Sequence, residues 1–240
     1  MIARAVIAAV AGSLLVAGCA AAGPRSVGGR DRDLLRADPS KVIAAELAFA
    51  RAAQEKGQWT AFVEHADDDA VMFVPEPVKA HDWLRRQTNP AQAVRWQPHQ
   101  VWSSCDGTLA VTKGAWQRPD GSVGYFTTVW ERQRNGDYEW VMDQGDVLAQ
   151  PLAAPEMIGA TAAQCDPTDR PRSRREREQH KPAILRPTLC EGANCTGGGA
   201  SADGTLAYAY AVTAQGRQVT VQMRENGAML EVLRSDVSAE

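Results

Sequence analysis

No strong charge of either sign marks this chain: 26 Lys and Arg face 29 Asp and Glu, a formal net charge of −3 over 240 residues. A surface that neutralises phosphates needs a dense basic field, so the balance argues against a nucleic-acid partner, and no recognition motif compensates. Neither GxGxxG nor GxxxxGK[ST] occurs, which leaves nucleotide binding without sequence support. HExxH is missing, His65, His81 and His99 are widely spaced, and Asp67-Asp68-Asp69 lacks the interleaved glycine and distal Glu of a calcium loop. No metal and no cofactor are therefore expected. Ser103 and Ser104 stand outside any GxSxG elbow, which argues against a serine hydrolase. Aromatic residues make up only 6% of the chain, yet all seven tryptophans fall between Trp59 and Trp140, so the main core is expected there.

The apolar run Ala5–Val16 is too short to span a bilayer. It follows the basic start Met1–Arg4 and ends in VAGC, which resembles a bacterial lipoprotein signal over residues 1–18 with Cys19 as lipid acceptor. That resemblance implies cleavage before Cys19 and an N-terminal lipid anchor in the membrane. With Ala20 after the lipid cysteine, it also implies an outer-membrane location facing the periplasm. An ordinary secretory signal cut nearby is the alternative, and it too exports the chain. Export leaves Cys105, Cys165, Cys190 and Cys195 as an even set in an oxidising compartment, where disulfides are favoured over metal ligation. CEGANC could close a small loop and leave Cys105 with Cys165, one of three connectivities open at this point.

Residues 19–37 read as a Gly- and charge-rich tether. From Asp38-Pro39 a helix is expected, with Ile43, Leu47 and Ala50 beside Val42, Phe49 and Ala53 as its apolar stripe. A short helix at Thr60–His65, a strand at Ala70–Val74 and a helix at His81–Gln87 follow. Four strands come next, Val94–Cys105, Leu109–Gln117, Gly124–Arg132 and Tyr138–Val147, joined at Asp106-Gly107, Asp120-Gly121 and Asn135-Gly136. This is an α+β pattern, expected over residues 38–150. Residues 151–204 read as an irregular linker, charged and then Gly-rich, with a short helix possible near Met157–Ala163. The basic cluster from Arg170 to Lys181 reads as solvated, with contact to anionic lipid as the alternative. Alternation resumes over 205–240 as a small three-stranded sheet, which needs the first domain or a partner to dock on.

The stretches AAELAFARAAQEKG, AVMFVPE and above all GYFTTVWERQRNGDYEWVMDQG resemble the nuclear transport factor 2-like superfamily, which includes SnoaL-like polyketide cyclases and ketosteroid isomerases, and within it a group of bacterial lipoproteins. The resemblance covers about Asp38–Asp146. It implies a cone, three N-terminal helices wrapped by a curved antiparallel sheet, whose open end is a pocket in some members and a dead end in others. Fold alone does not choose between them.

If Asn135-Gly136 and Asp120-Gly121 are two-residue turns, Thr128 faces Asp143, Trp130 faces Val141, Lys113 faces Thr128 and Trp116 faces Tyr125. Both sheet faces are then substantially apolar and both need cover. Lys113, Thr128 and Asp143 form a polar row beside Phe126 and Trp130, either a satisfied structural network or convergent groups of a pocket. Asp143 is the candidate proton acceptor, with Lys113 or His99 as the group that meets an oxyanion. Trp130, Phe126, Thr128, Lys113, Tyr125, Trp116 and His99 are the candidate ligand-binding residues. Few convergent polar groups between aromatic faces put the binding of a small apolar molecule first and an enzymatic role second. The alternatives are a proton-transfer, isomerase or cyclase-type enzyme and an envelope interaction module that forms a homodimer.

Overall fold

The structure, a computed structural model, describes residues 37–165 and 195–239. The signal and tether up to residue 36, Cys19, the cluster from Arg170 to Lys181 and Cys190 lie outside the described residues. The elements in chain order are α1 (Pro39–Lys56), α2 (Gln58–His65), β1 (Ala66–Phe73), β2 (Pro77–Lys79), α3 (Ala80–Leu84), β3 (Arg95–Ser103), β4 (Leu109–Gln117), β5 (Val123–Arg132), β6 (Tyr138–Leu148), β7 (Gly159–Ala162), β8 (Cys195–Ala200), β9 (Leu206–Thr213), β10 (Gly216–Glu225) and β11 (Ala228–Ser238). This is a mixed α+β protein with a curved main sheet. That sheet runs β2-β1-β6-β5-β4-β3-β7, and a second sheet runs β11-β10-β9-β8.

Turn chemistry sets the registers, and here the structure corrects two expectations. The β4–β5 connection is a three-residue loop: Arg118 N–H bonds Ser122 O at 2.9 Å, Gly121 N–H bonds Arg118 O at 3.0 Å, and Gly121 takes φ 88°. A type I turn closed by a left-handed glycine has this form, and it moves the pairing by one residue relative to a two-residue turn. Thr112 therefore faces Thr128, Lys113 faces Thr127 and Trp116 faces Gly124. The β5–β6 loop has the same form, with Gln133 N–H on Asp137 O and Gly136 at φ 95°. There a β-bulge between Val129 and Trp130 restores the register, so Thr128 does face Asp143 while Trp130 faces Trp140 and not Val141.

The two faces of β5 then meet different partners. Trp130 and Trp140 join Val42, Phe49 and Ala53 of α1 in the core on the helix side. Leu109, Val111, Val129 and Met142 pack against Leu206, Tyr208, Tyr210, Val221 and Met223 of the second sheet. Aromatic residues in both registers of GYFTTVWERQ thus reflect a sheet covered twice. The outer aromatic face is closed by the tail, so it is not open to a second subunit. Tyr125 pins the contact, its hydroxyl 2.6 Å from Ser235 Oγ.

The expected irregular linker is ordered at both of its described ends. Residues 159–162 form β7, parallel to β3, in a stretch read as irregular with a short helix as one possibility. Residues 195–200 form β8, so the tail sheet has four strands, not three. The composition of β8 explains why it reads as linker: Gly197 and Gly199 face Tyr210 and Tyr208, whose rings lie where a Cβ would sit, at 2.3 and 2.9 Å. The glycines admit the rings and the rings cover the strand. Cys105 and Cys165 form a disulfide that ties the end of β3 to the segment after β7.

Candidate functional site

Residues Val42, Glu46, Phe49 and Ala53 recur at helical spacing, so an acid sits in the middle of the buried face of α1. Leu47, assigned to the stripe from sequence, is 38% exposed, and Glu46 is fully buried. Its carboxylate accepts from Trp96 Nε1 at 2.7 Å, Thr112 Oγ1 at 2.6 Å and Trp130 Nε1 at 3.0 Å. Burial pushes Glu46 above the ordinary carboxylate range, while these three hydrogen bonds act to lower it. The corrected β4–β5 register puts Thr112 on this face, where Lys113 was expected.

Across the strands the same row continues as Thr112, Thr128, Asp143 and Met72. Thr128 Oγ1 donates to Asp143 Oδ2 at 2.7 Å, its only hydrogen-bond partner among the described residues. Asp143 is half-buried and opens into a cavity of about 1180 Å³. Trp59 and Phe62 of α2, Trp96 of β3, Trp116 of β4 and Phe126 of β5 supply aromatic wall. Phe49 holds the wall from behind with edge-to-face contacts at 4.8 Å to both Phe62 and Trp96. The cavity runs out over the rim at Pro75, Gly145 and Arg217, where the two sheets meet.

The sequence candidates divide between wall and core. Trp116, Phe126, Thr128 and Asp143 line the cavity. Trp130 does not; it is fully buried behind the wall and serves Glu46 and Thr112. Lys113 and Tyr125 lie on the opposite face, with the Lys113 ammonium 5.2 Å from the Tyr125 ring centre. His99 sits at the β3 irregularity between Pro98 and Gln100 and does not line the cavity. Glu46 was legible only as an acidic residue interrupting an apolar helical face. Trp59 and Phe62 come from the short helix α2 and Trp96 from the start of β3, and their convergence requires the packing of helices on the curved sheet.

Burial raises Asp143 from 3.8 to about 7, the negative charge of Glu46 adds to the rise, and the Thr128 hydrogen bond opposes it. A carboxyl whose folded value exceeds its unfolded one holds its proton more tightly when folded. Its stabilising contribution is complete below about pH 4 and lost as pH rises to about 7. Asp143→Asn removes that loss. Solvent access through the cavity reduces the effect, so the variant is expected to exceed the parent by about 2 kcal/mol at pH 8 and to match it near pH 4. Urea unfolding at the two pH values measures this, and a pH-independent difference would contradict it.

No protein-family model and no curated protein matches the chain. Three solved structures are similar to about half of it. One, described as a candidate aromatic ring hydroxylase from Novosphingobium aromaticivorans, is 15% identical over 48% of this chain and 92% of its own, with a TM-score of 0.36. A candidate ketosteroid isomerase from Parabacteroides distasonis is 15% identical over 48% and 97%, at 0.36. The CaMKII hub of S. rosetta is 17% identical over 47% and 98%, at 0.36.

Proposed function

We propose that this protein binds a small, mostly apolar molecule inside the cone formed by α1, α2 and the main sheet. The observation that carries the reading is a half-buried carboxyl, Asp143, at the wall of an aromatic cavity of about 1180 Å³. Ligand pockets combine apolar walls with a few placed polar groups, and this one has that composition. The nuclear transport factor 2-like resemblance of the sequence is compatible with this use, since the open end of such a cone is a pocket in some members. On the VAGC motif, the binding domain works tethered to the bacterial envelope through Cys19.

Native mass spectrometry of the oxidised protein exposed to an extract of bacterial envelopes tests the proposal. A reproducible adduct is expected, weakened at least tenfold in Phe62→Ala and Phe126→Ala and retained in Tyr125→Phe, whose ring lies on the outer face. Absence of any adduct, or one indifferent to the wall variants, would overturn it. The same measurement on protein taken from its native membrane reads the lipid mass on Cys19.

A second reading has one specific observation in its favour. An acid raised to about 7 and facing an apolar cavity has the basicity suited to abstracting a proton at neutral pH. Binding stands ahead of it because two of the three indole N–H groups of the wall, those of Trp96 and Trp116, are already given to Glu46 and to Tyr125 O. Neither of these two is free to meet a developing oxyanion. Turnover of any bound molecule that is equal in Asp143→Asn would remove the proton-transfer reading.

A further inference from the structure

We propose that the cone selects organic cations, protonated or quaternary amines with an apolar body, whose ammonium sits against Asp143 and the surrounding aromatic faces. This rests on the binding reading and narrows it to a ligand class. The first argument is the distribution of charge. Among the described residues Arg118 and Arg217 are the only cationic side chains on the lining, and neither serves Asp143. Arg118 is exposed on the β4–β5 turn and stacks on Trp116 with its guanidinium carbon 4.7 Å from the ring centre. Arg217 belongs to the second sheet and gives its donors to Gln144, Pro75 O and Gly145 O.

Asp143 therefore faces the cavity with Thr128 as its partner and, among the described residues, no positive charge beside it, while a second carboxyl, Glu46, lies behind the wall. Even a half-buried carboxylate is costly without a counter-charge. An ammonium supplies that charge and the missing donors together; a neutral alcohol supplies at most a donor, and a carboxylate or phosphate adds repulsion. The second argument is the wall. Aromatic faces attract cations most strongly where water is excluded, and seven aromatic residues, Phe49 and Phe73 among them, lie on this lining. Arg118 on Trp116 is the same interaction already made at an exposed edge of the cavity.

The test uses three probes on one ring system, 1-naphthylmethylamine, 1-naphthalenemethanol and 1-naphthoate, titrated calorimetrically into the oxidised protein and into Asp143→Asn. The amine is expected to bind at least tenfold more tightly than the alcohol, with the carboxylate weakest. In Asp143→Asn the preference of amine over alcohol should fall below threefold. Equal binding of amine and alcohol, or preference for the carboxylate, overturns the cation inference and leaves the binding reading standing. Failure of all three to bind counts against both. The ratio in the unmodified protein decides the matter even if the variant does not fold.

Discussion

Replacing Glu46 with alanine is expected to remove about 3–5 kcal/mol of folding stability, read as a lowered urea midpoint. The side chain is fully buried and receives three donors on its two oxygens. Alanine leaves the Trp96 indole N–H without its acceptor and opens a void between α1 and the sheet. Trp130 and Thr112 have fallbacks, since the Trp130 indole N–H already lies 3.1 Å from Thr112 Oγ1 and the Thr112 hydroxyl 3.3 Å from Thr128 O. Glu46→Gln keeps the shape and one acceptor oxygen but turns an amide N–H₂ toward a donor, so about 1–3 kcal/mol is expected. The amide also removes the charge that helps to raise Asp143, and the Asp143 titration should move downward. A loss under about 1 kcal/mol in the alanine variant would show that the helix and sheet hold together without this acid.

The Cys105–Cys165 disulfide is expected to contribute about 2–4 kcal/mol, because it closes a loop with a sequence separation of 60. Thermal melts of the double variant Cys105→Ser, Cys165→Ser, and of the parent with reductant, should agree with each other and fall below the oxidised parent. The crosslink stands where both sheets meet: Cys105 N–H bonds Thr205 Oγ1 at 2.8 Å, and Gln164 N–H bonds Arg224 O at 3.1 Å. Part of the loss should therefore appear as weakened docking of the second sheet. Identical melts with and without reductant would contradict the assignment.

The strands β3 to β6 and their order were readable because their turns announce themselves in Asp-Gly and Asn-Gly pairs. Register was not, because Asp120-Gly121 is compatible with a two- or three-residue loop and the choice depends on bonds such as Arg118 to Ser122. One residue of slip exchanged Lys113 for Thr112, and with it a cation beside Asp143 for a link to Glu46. The Thr128–Asp143 pair was readable only because loop and bulge offset each other. Trp130 was visible as important, yet whether an indole lines a cavity or backs it depends on what stands in front, and Trp59, Phe62 and Trp96 are remote in sequence. Gly-rich β8 escaped notice because its cover comes from Tyr208 and Tyr210, on the next strand.

The shared core between the sheets has a consequence for the order of events in the cell. Synthesis proceeds from the N terminus, so the main sheet can form before residues 195–239 exist. Until they arrive, Leu109, Val111, Val129 and Met142 lie bare on its outer side, a surface suited to sticking to other chains in transit. The last fifth of the chain is thus a cover that arrives late. A nascent protein of this kind needs either a holding partner or delayed folding until its own C-terminal strands have been made.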